Sequence, residues 1–239
     1  MGIAHKIYKA LGGKEGSFLQ QKWSAYCIGK DLKVKQKRLQ TFGVEALQEF
    51  KNVCNECGVG YWLEFGTLLG AVRHKSFIPH DFDLDVGMME ADCTEDFRNK
   101  LVAHGFVLDH SFDYVNVKTG ERRTSEYAFH YKDLAFDIFL GIREGDSRKV
   151  YCYEVEKGDV VSSSRSYTFD CTKPLSTLTI NGLELSGPSD PVQTLSWYYG
   201  ENFMHPNPNW TSKNGGNPKA TYYTTDDVTG ILVRPKSNG

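Results

Sequence analysis

Between residues 37 and 57 the apolar side chains Leu39, Phe42, Ala46, Leu47, Phe50, Val53, Cys54 and Cys57 return at intervals of three and four. That spacing lines one face of an α-helix. Gly58 and Gly60 end the pattern, and residues 61–65 (YWLEF) then predict a first strand. A short helix over 67–73 opens at a Gly66-Thr67 turn, and 77–80 forms a loop around Pro79. Residues 83–87 read as a second strand, in which Leu84 and Val86 face a core because side chains alternate along a strand. Thr94 is placed to cap a further helix carrying Phe97, Leu101 and Val102, which Gly105 stops.

Beyond Gly105 the strand signals multiply, at 106–108, 114–117, 127–131, 134–140 and 149–155, separated by charged or glycine-containing turns. This is the pattern of an antiparallel meander. Asn181-Gly182 between two short apolar runs predicts a tight hairpin over 178–185. Asp190 and Pro191 read as N-cap and first residue of a helix through Leu195, Trp197 and Tyr198 to Gly200. Residues 205–219, rich in Pro, Asn and Gly, predict loop. The order of elements predicts one α+β domain over 37–239, with a helical appendage at 1–36 and a loop-rich C-terminal tail.

The chain has 239 residues, 40% apolar and 24% charged, an ordinary balance for a globular domain with a sizeable core. No run is apolar enough for a membrane span or a signal peptide, which places the expected protein in the cytoplasm. Six cysteines lack a disulfide-framework spacing, so reduced thiols are expected, and the lone Cys54-x-x-Cys57 is read as helix packing. Net charge is −2, but residues 1–38 hold nine Lys or Arg against Glu15 and Asp31. The basic appendage 1–36 either packs on the domain or makes peripheral contact with the anionic inner face of a membrane. No nucleic-acid partner is expected.

Candidate chemistry centres on the alternating carboxylates Asp81, Asp83 and Asp85, of which Asp83 and Asp85, on the second strand, are taken as the working pair and Asp81, before it, is set aside. Asp83 and Asp85 share a face, and two carboxylates held together call for positive charge between them. Mg²⁺ or Mn²⁺ with hard oxygen ligands meets that need. A third ligand is expected from another strand, and Asp137, a carboxylate inside the apolar run LAFDIFL, is the candidate. A calcium loop is the rival reading, but the ligand pattern lacks the Glu such a loop carries at its twelfth position. Gly66 and Thr67 at a strand-to-helix turn are placed to offer an N–H and a hydroxyl to phosphate, with Arg73 and Lys75 as cationic contacts for a diphosphate.

The string FGTLLGAVRHKSFIPHDFDLDVGM resembles the core of the LicD family, part of the nucleotidyltransferase-fold superfamily, which includes bacterial phosphocholine transferases and is similar to the fukutin-related ribitol-phosphate transferases. The pattern maps onto Gly66-Thr67, Asp83-Leu84-Asp85 and Asp137. It covers residues 37–89, with a weaker echo in WYYGENFM at 197–204. His80 stands where the family commonly has Trp, and Phe82 where it often has Asp.

The resemblance implies a polymerase-β-like mixed sheet with flanking helices. It also implies transfer of a substituted phosphate from a CDP-linked donor (choline, ribitol or glycerol) to a hydroxyl on a cell-surface or capsular glycan, which can be lipid-linked. In that scheme Asp83, Asp85 and Asp137 are catalytic metal ligands, and Gly66, Thr67, Arg73 and Lys75 hold the donor. Two alternatives stand beside it: a nucleotidyltransferase placing NMP on a small molecule or protein, and a non-catalytic interaction module at the membrane. A choline headgroup would favour an aromatic cage, for which Trp197, Tyr198, Trp210, Tyr222 and Tyr223 are the first candidates.

Overall fold

A computed structural model describes residues 18–156, 160–207, 210 and 219–235. Helix α1 spans Phe18–Cys57. Its apolar stripe is buried from Leu39 onward, with Ala46, Leu47, Phe50 and Val53 fully enclosed. Gly58, at φ 66, ends it, and its N–H donates to the Asn55 carbonyl. The helix begins far upstream of the predicted start at 37, because the lone Gly29 is a weak breaker and no proline intervenes. The boundary expected between 36 and 37 therefore falls inside one continuous helix. The remainder of the basic segment, 1–17, lies outside the described residues.

Strand β1 (Tyr61–Leu63) is followed by helix α2 (Phe65–His74) and strand β2 (Asp83–Met89). A 3₁₀ turn leads to α3 (Glu95–Ala103), whose first turn is capped by Thr94 accepting from the Phe97 N–H. Then come β3 (Phe106–Asn116), β4 (Arg122–Tyr131), β5 (Leu134–Glu144), β6 (Ser147–Glu156) and β7 (Val160–Asp170). The hairpin β8 (Ser176–Ile180) and β9 (Leu183–Gly187) turns through Asn181 and Gly182, both at positive φ. Helix α4 (Pro191–Tyr199), β10 (Thr221–Tyr223) and β11 (Val228–Val233) complete the described chain.

The result is a mixed α+β architecture with few helices and one large sheet, ordered β10-β7-β6-β5-β4-β3-β11, with β1 and β2 joined to it through β5. All its pairings are antiparallel except β2 with β5. Three features depart from expectation. The strands expected at 106–108 and 114–117 are one strand, whose register shifts near Leu108 and Phe112 interrupt the alternation. β7 was not foreseen, since VVSSSRSYTFD is serine-rich, yet Ser164 and Ser166 are buried in it. The tail is not wholly loop: β10 pairs with β7, and β11 pairs with β3 along six residues.

Trp62 organises the packing beside the one parallel strand pair among the described residues. Its indole N–H donates to Glu64 (2.5 Å), and the Arg148 guanidinium lies 4.1 Å from its ring centroid. Gly87 lets the indole lie flat on β2, since a Cβ there would stand 2.1 Å from Trp62 Nε1. Gly87→Ala should therefore destabilise the fold by about 1–3 kcal/mol, the usual cost of overpacking. Gly60→Ala, whose nearest neighbour to a new Cβ is 3.8 Å away, should be close to neutral. Urea unfolding of both variants tests this; equal midpoints would refute it.

Candidate active site

The site is assembled where β1 hands over to α2. After Leu63 the ladder continues for one more bond, Glu64 N–H to the Asp85 carbonyl (3.1 Å). The Glu64 side chain is fully buried; it accepts from Trp62 Nε1 and from the Tyr198 hydroxyl (2.7 Å) and faces the Arg148 charge. Burial still holds its carboxyl above the usual range. Phe65 then adopts φ 35, a left-handed conformation that costs a non-glycine residue about 1–3 kcal/mol. Its ring is pinned between Phe139 (4.7 Å) and Tyr198 (4.5 Å).

This bend aims the start of α2 at β2. The Gly66 N–H donates to Asp85 Oδ2 (3.1 Å), and Thr67 Oγ1 accepts from the Asp85 N–H (2.8 Å). Gly66 and Thr67 thus lie in the first turn of α2, not in a turn before it, and both bind Asp85. Space is the reason for glycine at 66: a Cβ would stand 2.6 Å from Asp81 Oδ2 and 3.4 Å from Asp85 Oδ2. The helix start also favours negative charge through its unpaired N–H groups.

Parallel pairing sets Asp85 directly beside Asp137, with Asp83 beside Ala135. Flanking Phe136 and Ile138 are fully buried in the core while Asp137 alternates to the other face. Asp83, Asp85 and Asp137 each bring a carboxylate oxygen within 4.8 Å of the others. Burial and then Asp81 push the Asp83 carboxyl up to about 8. Asp85 is held well above its usual range by burial, then by Asp83, Asp137 and Asp81. Asp137 is raised by burial, then by Glu126 and Asp83. Lys35 on α1 is a cation that counters Asp83. A cluster of oxygen donors with excess negative charge fits a hard divalent cation such as Mg²⁺ or Mn²⁺.

Two carboxylates join this environment that sequence reasoning did not select. Asp81, set aside in favour of the working pair, hydrogen-bonds Asp83 and crowds Gly66. Glu126 on β4, opposite Phe139, is pushed up by burial to about 7 and bears on Asp137. The signal that exposes Asp137, a carboxylate inside a strand, is present at Glu126 too, though its neighbours are less apolar. Tyr199, with its hydroxyl pushed far up by burial and then by Asp85 and Asp81, forms another wall.

The remaining predicted contacts are dispersed. Arg73 donates through Nη2 to the His205 carbonyl (3.4 Å). Lys75 is exposed at the opposite end of α2 from Gly66, where it caps the helix at φ 52 and its carbonyl accepts from the Asn181 N–H. The aromatic candidates do not form one cage. Tyr198 is committed to Glu64, Trp197 stacks on Phe169 (5.3 Å), Tyr222 and Tyr223 lie on β10, and Trp210 packs on Tyr199 (4.8 Å). Cys54 is in the core, its thiol pushed far up by burial, and both it and Cys57 are free.

Comparison with known proteins matches residues 58–190 to the family model described as LicD/FKTN/FKRP, nucleotidyltransferase domain. An uncharacterized protein of Rickettsia typhi is 30% identical over 189 residues, 77% of this chain and 54% of that protein. The lipopolysaccharide cholinephosphotransferase LicD of Haemophilus influenzae is 31% identical over 120 residues, 50% of this chain and 42% of that protein. The ribitol 5-phosphate transferase FKRP of Mus musculus is 28% identical over 221 residues, 88% of this chain and 40% of its own length. The chain spans about half the length of these curated relatives or less.

The raised carboxyls make a signed prediction. An unfolded Asp titrates at about 3.9, so each of these groups binds its proton more tightly in the folded state. The stability that this contributes is present below about pH 4 and is lost as pH rises through the folded value, about 8 for Asp83. In EDTA the melting temperature should fall on going from about pH 5 to about pH 9. Added Mg²⁺ or Mn²⁺ should restore it at alkaline pH in the wild type and much less in Asp137→Asn. An equal cation response in both proteins would refute a metal site here.

Proposed function

This chain belongs to the LicD/FKTN/FKRP family, and on that premise we propose that it transfers a substituted phosphate, phosphocholine or a polyol phosphate, from a CDP-linked donor to a hydroxyl of a glycan. The observation that carries the proposal is the trio Asp83, Asp85 and Asp137 within 4.8 Å, set on a parallel strand pair at the start of α2. The unit β1-α2-β2 beside β5 also supports a nucleotidyltransferase-type fold for the catalytic domain.

In this reading Asp83, Asp85 and Asp137 hold Mg²⁺ or Mn²⁺, which supplies positive charge against the phosphate oxygens. Asp137 takes the proton of the acceptor hydroxyl on a carboxylate oxygen. The hydroxyl oxygen forms its bond to the distal phosphorus as the bond from that phosphorus to the CMP oxygen breaks, and CMP leaves with the electron pair. Gly66 and Thr67 act through Asp85, whose oxygen and N–H they fix. Arg73 sets positive charge against donor phosphate, while Lys75 stands away from the chemistry.

A second reading, NMP transfer, draws on the same carboxylates and on the family model's nucleotidyltransferase description. A donor labelled at each phosphate separates the two, since CMP is released in the first and the NMP appears on the product in the second. Asp83→Asn and Asp137→Asn should each lower turnover by about a hundredfold or more with the fold intact by circular dichroism. Wild-type rates in either variant would overturn the assignment.

No helix among the described residues is long and apolar enough to cross a membrane. We propose peripheral contact instead, supported by exposed Lys30, Leu32, Lys33 and Val34 on α1. Gln36 donates to the His80 carbonyl and Lys35 bears on Asp83, so charge reversal upstream is a cleaner test than deletion. Lys30→Glu/Lys33→Glu should weaken co-sedimentation with anionic liposomes, and salt should weaken it in the wild type. Equal binding to neutral vesicles would refute it.

A further inference from the structure

Beside the carboxylates, between α2, α4 and the residues that follow α4, lies a cavity of about 880 Å³. Leu69, Arg73, His80, Tyr199, His205 and Trp210 contribute to its wall. Tyr199 connects it to the acidic centre, since its hydroxyl feels the charges of Asp85, Asp81 and Asp83. Among the described residues the wall holds no Asp or Glu.

Two of its N–H groups lack partners among the described residues. Arg73 Nε is shielded from solvent and makes no hydrogen bond, while Nη2 reaches only a backbone carbonyl. Partial desolvation lowers the Arg73 pKa and Tyr199 opposes that, with no carboxylate among the described residues acting on it. Trp210 Nε1 is likewise shielded and unpartnered, with its ring held against Tyr199. Buried donors are nearly always paired, so each of these two shielded N–H groups calls for an acceptor. One occupant with acceptor oxygens and negative charge would resolve both at once.

We propose that this cavity is an oxyanion subsite that seats a phosphate-type group, with Arg73 Nε–H and Trp210 Nε1–H as donors. It deepens the transferase reading, on which it rests for identifying the anion as part of the substrate; the binding itself stands apart from that reading. The same wall disfavours a trimethylammonium group, whose positive charge would face Arg73 with no carboxylate among the described wall residues to balance it. Aromatic character at Tyr199 and Trp210 therefore marks a base or sugar neighbour of the phosphate instead of a choline cage.

Pyrophosphate is the probe, titrated into the whole chain in EDTA so that no metal bridges it to the carboxylates, with tryptophan fluorescence and calorimetry as readouts. Saturable binding is expected in the wild type and, equally or more tightly, in Asp83→Asn. Arg73→Gln should weaken it by about tenfold or more, the scale of a charge-assisted hydrogen bond. Trp210→Phe, which keeps the ring and removes the N–H, should weaken it several-fold; melting curves check that both variants fold. No saturable binding in the wild type, loss of it in Asp83→Asn, or wild-type affinity in Arg73→Gln would overturn the proposal. So would choline binding that disappears in Trp210→Ala. Failure of the transferase reading would show separately, as transfer that survives in Asp83→Asn.

Discussion

Everything near the site follows from one electrostatic constraint: Asp83, Asp85 and Asp137 must be held together in a partly desolvated crease although they repel one another. Repulsion of that size persists only where the surrounding structure leaves the carboxylates no alternative position. Here the parallel register of β2 and β5 fixes their spacing. The α2 entry then fixes Asp85 by bonds to both its side chain and its backbone. The strained Phe65 backbone is held by aromatic packing on Phe139 and Tyr198, and the preceding Glu64 is anchored by Trp62 and Tyr198.

Along α2 the charge environment reverses. Its first turn points N–H groups toward acid, and its last turn carries Arg73 into a cavity whose described residues include no acid. The helix dipole favours both placements, anion at the start and cation at the end. Negative and positive surroundings therefore adjoin along one ten-residue helix. That layout suits the substrate proposed above, whose phosphate would lie on the positive side and face the carboxylates on the other.

Much of this was legible in the chain. The periodicity of Leu39 to Cys54, the Thr94 and Asp190 caps and the Asn181-Gly182 turn report local physics, and the local structure agrees. Asp137 stood out because a carboxylate in an apolar strand demands a reason. What escaped was set by partners distant in sequence. Nothing local to VVSSSRSYTFD announces that β6 and β10 will flank it, or that β11 will cover the edge of β3. Gly66 read as a turn residue offering its N–H to phosphate, whereas the need for glycine there depends on where Asp81 lies after folding. Lys75 followed a helix whose other end meets the site, a distinction invisible until direction is known.

The parallel pairing of β2 with β5 also has a kinetic side. β1 and β2 can associate as neighbours through α2, but β2 reaches β5 only after the segment 90–133 has been made and its strands arranged. Pairings between distant parts of a chain carry a closure entropy that adjacent hairpins avoid, and they form slowly. During synthesis, then, Asp83 and Asp85 lie on an open strand edge until β5 arrives. Carboxylates are poor partners for edge-to-edge association, so the charges that burden the finished fold also shield its nascent form from aggregation.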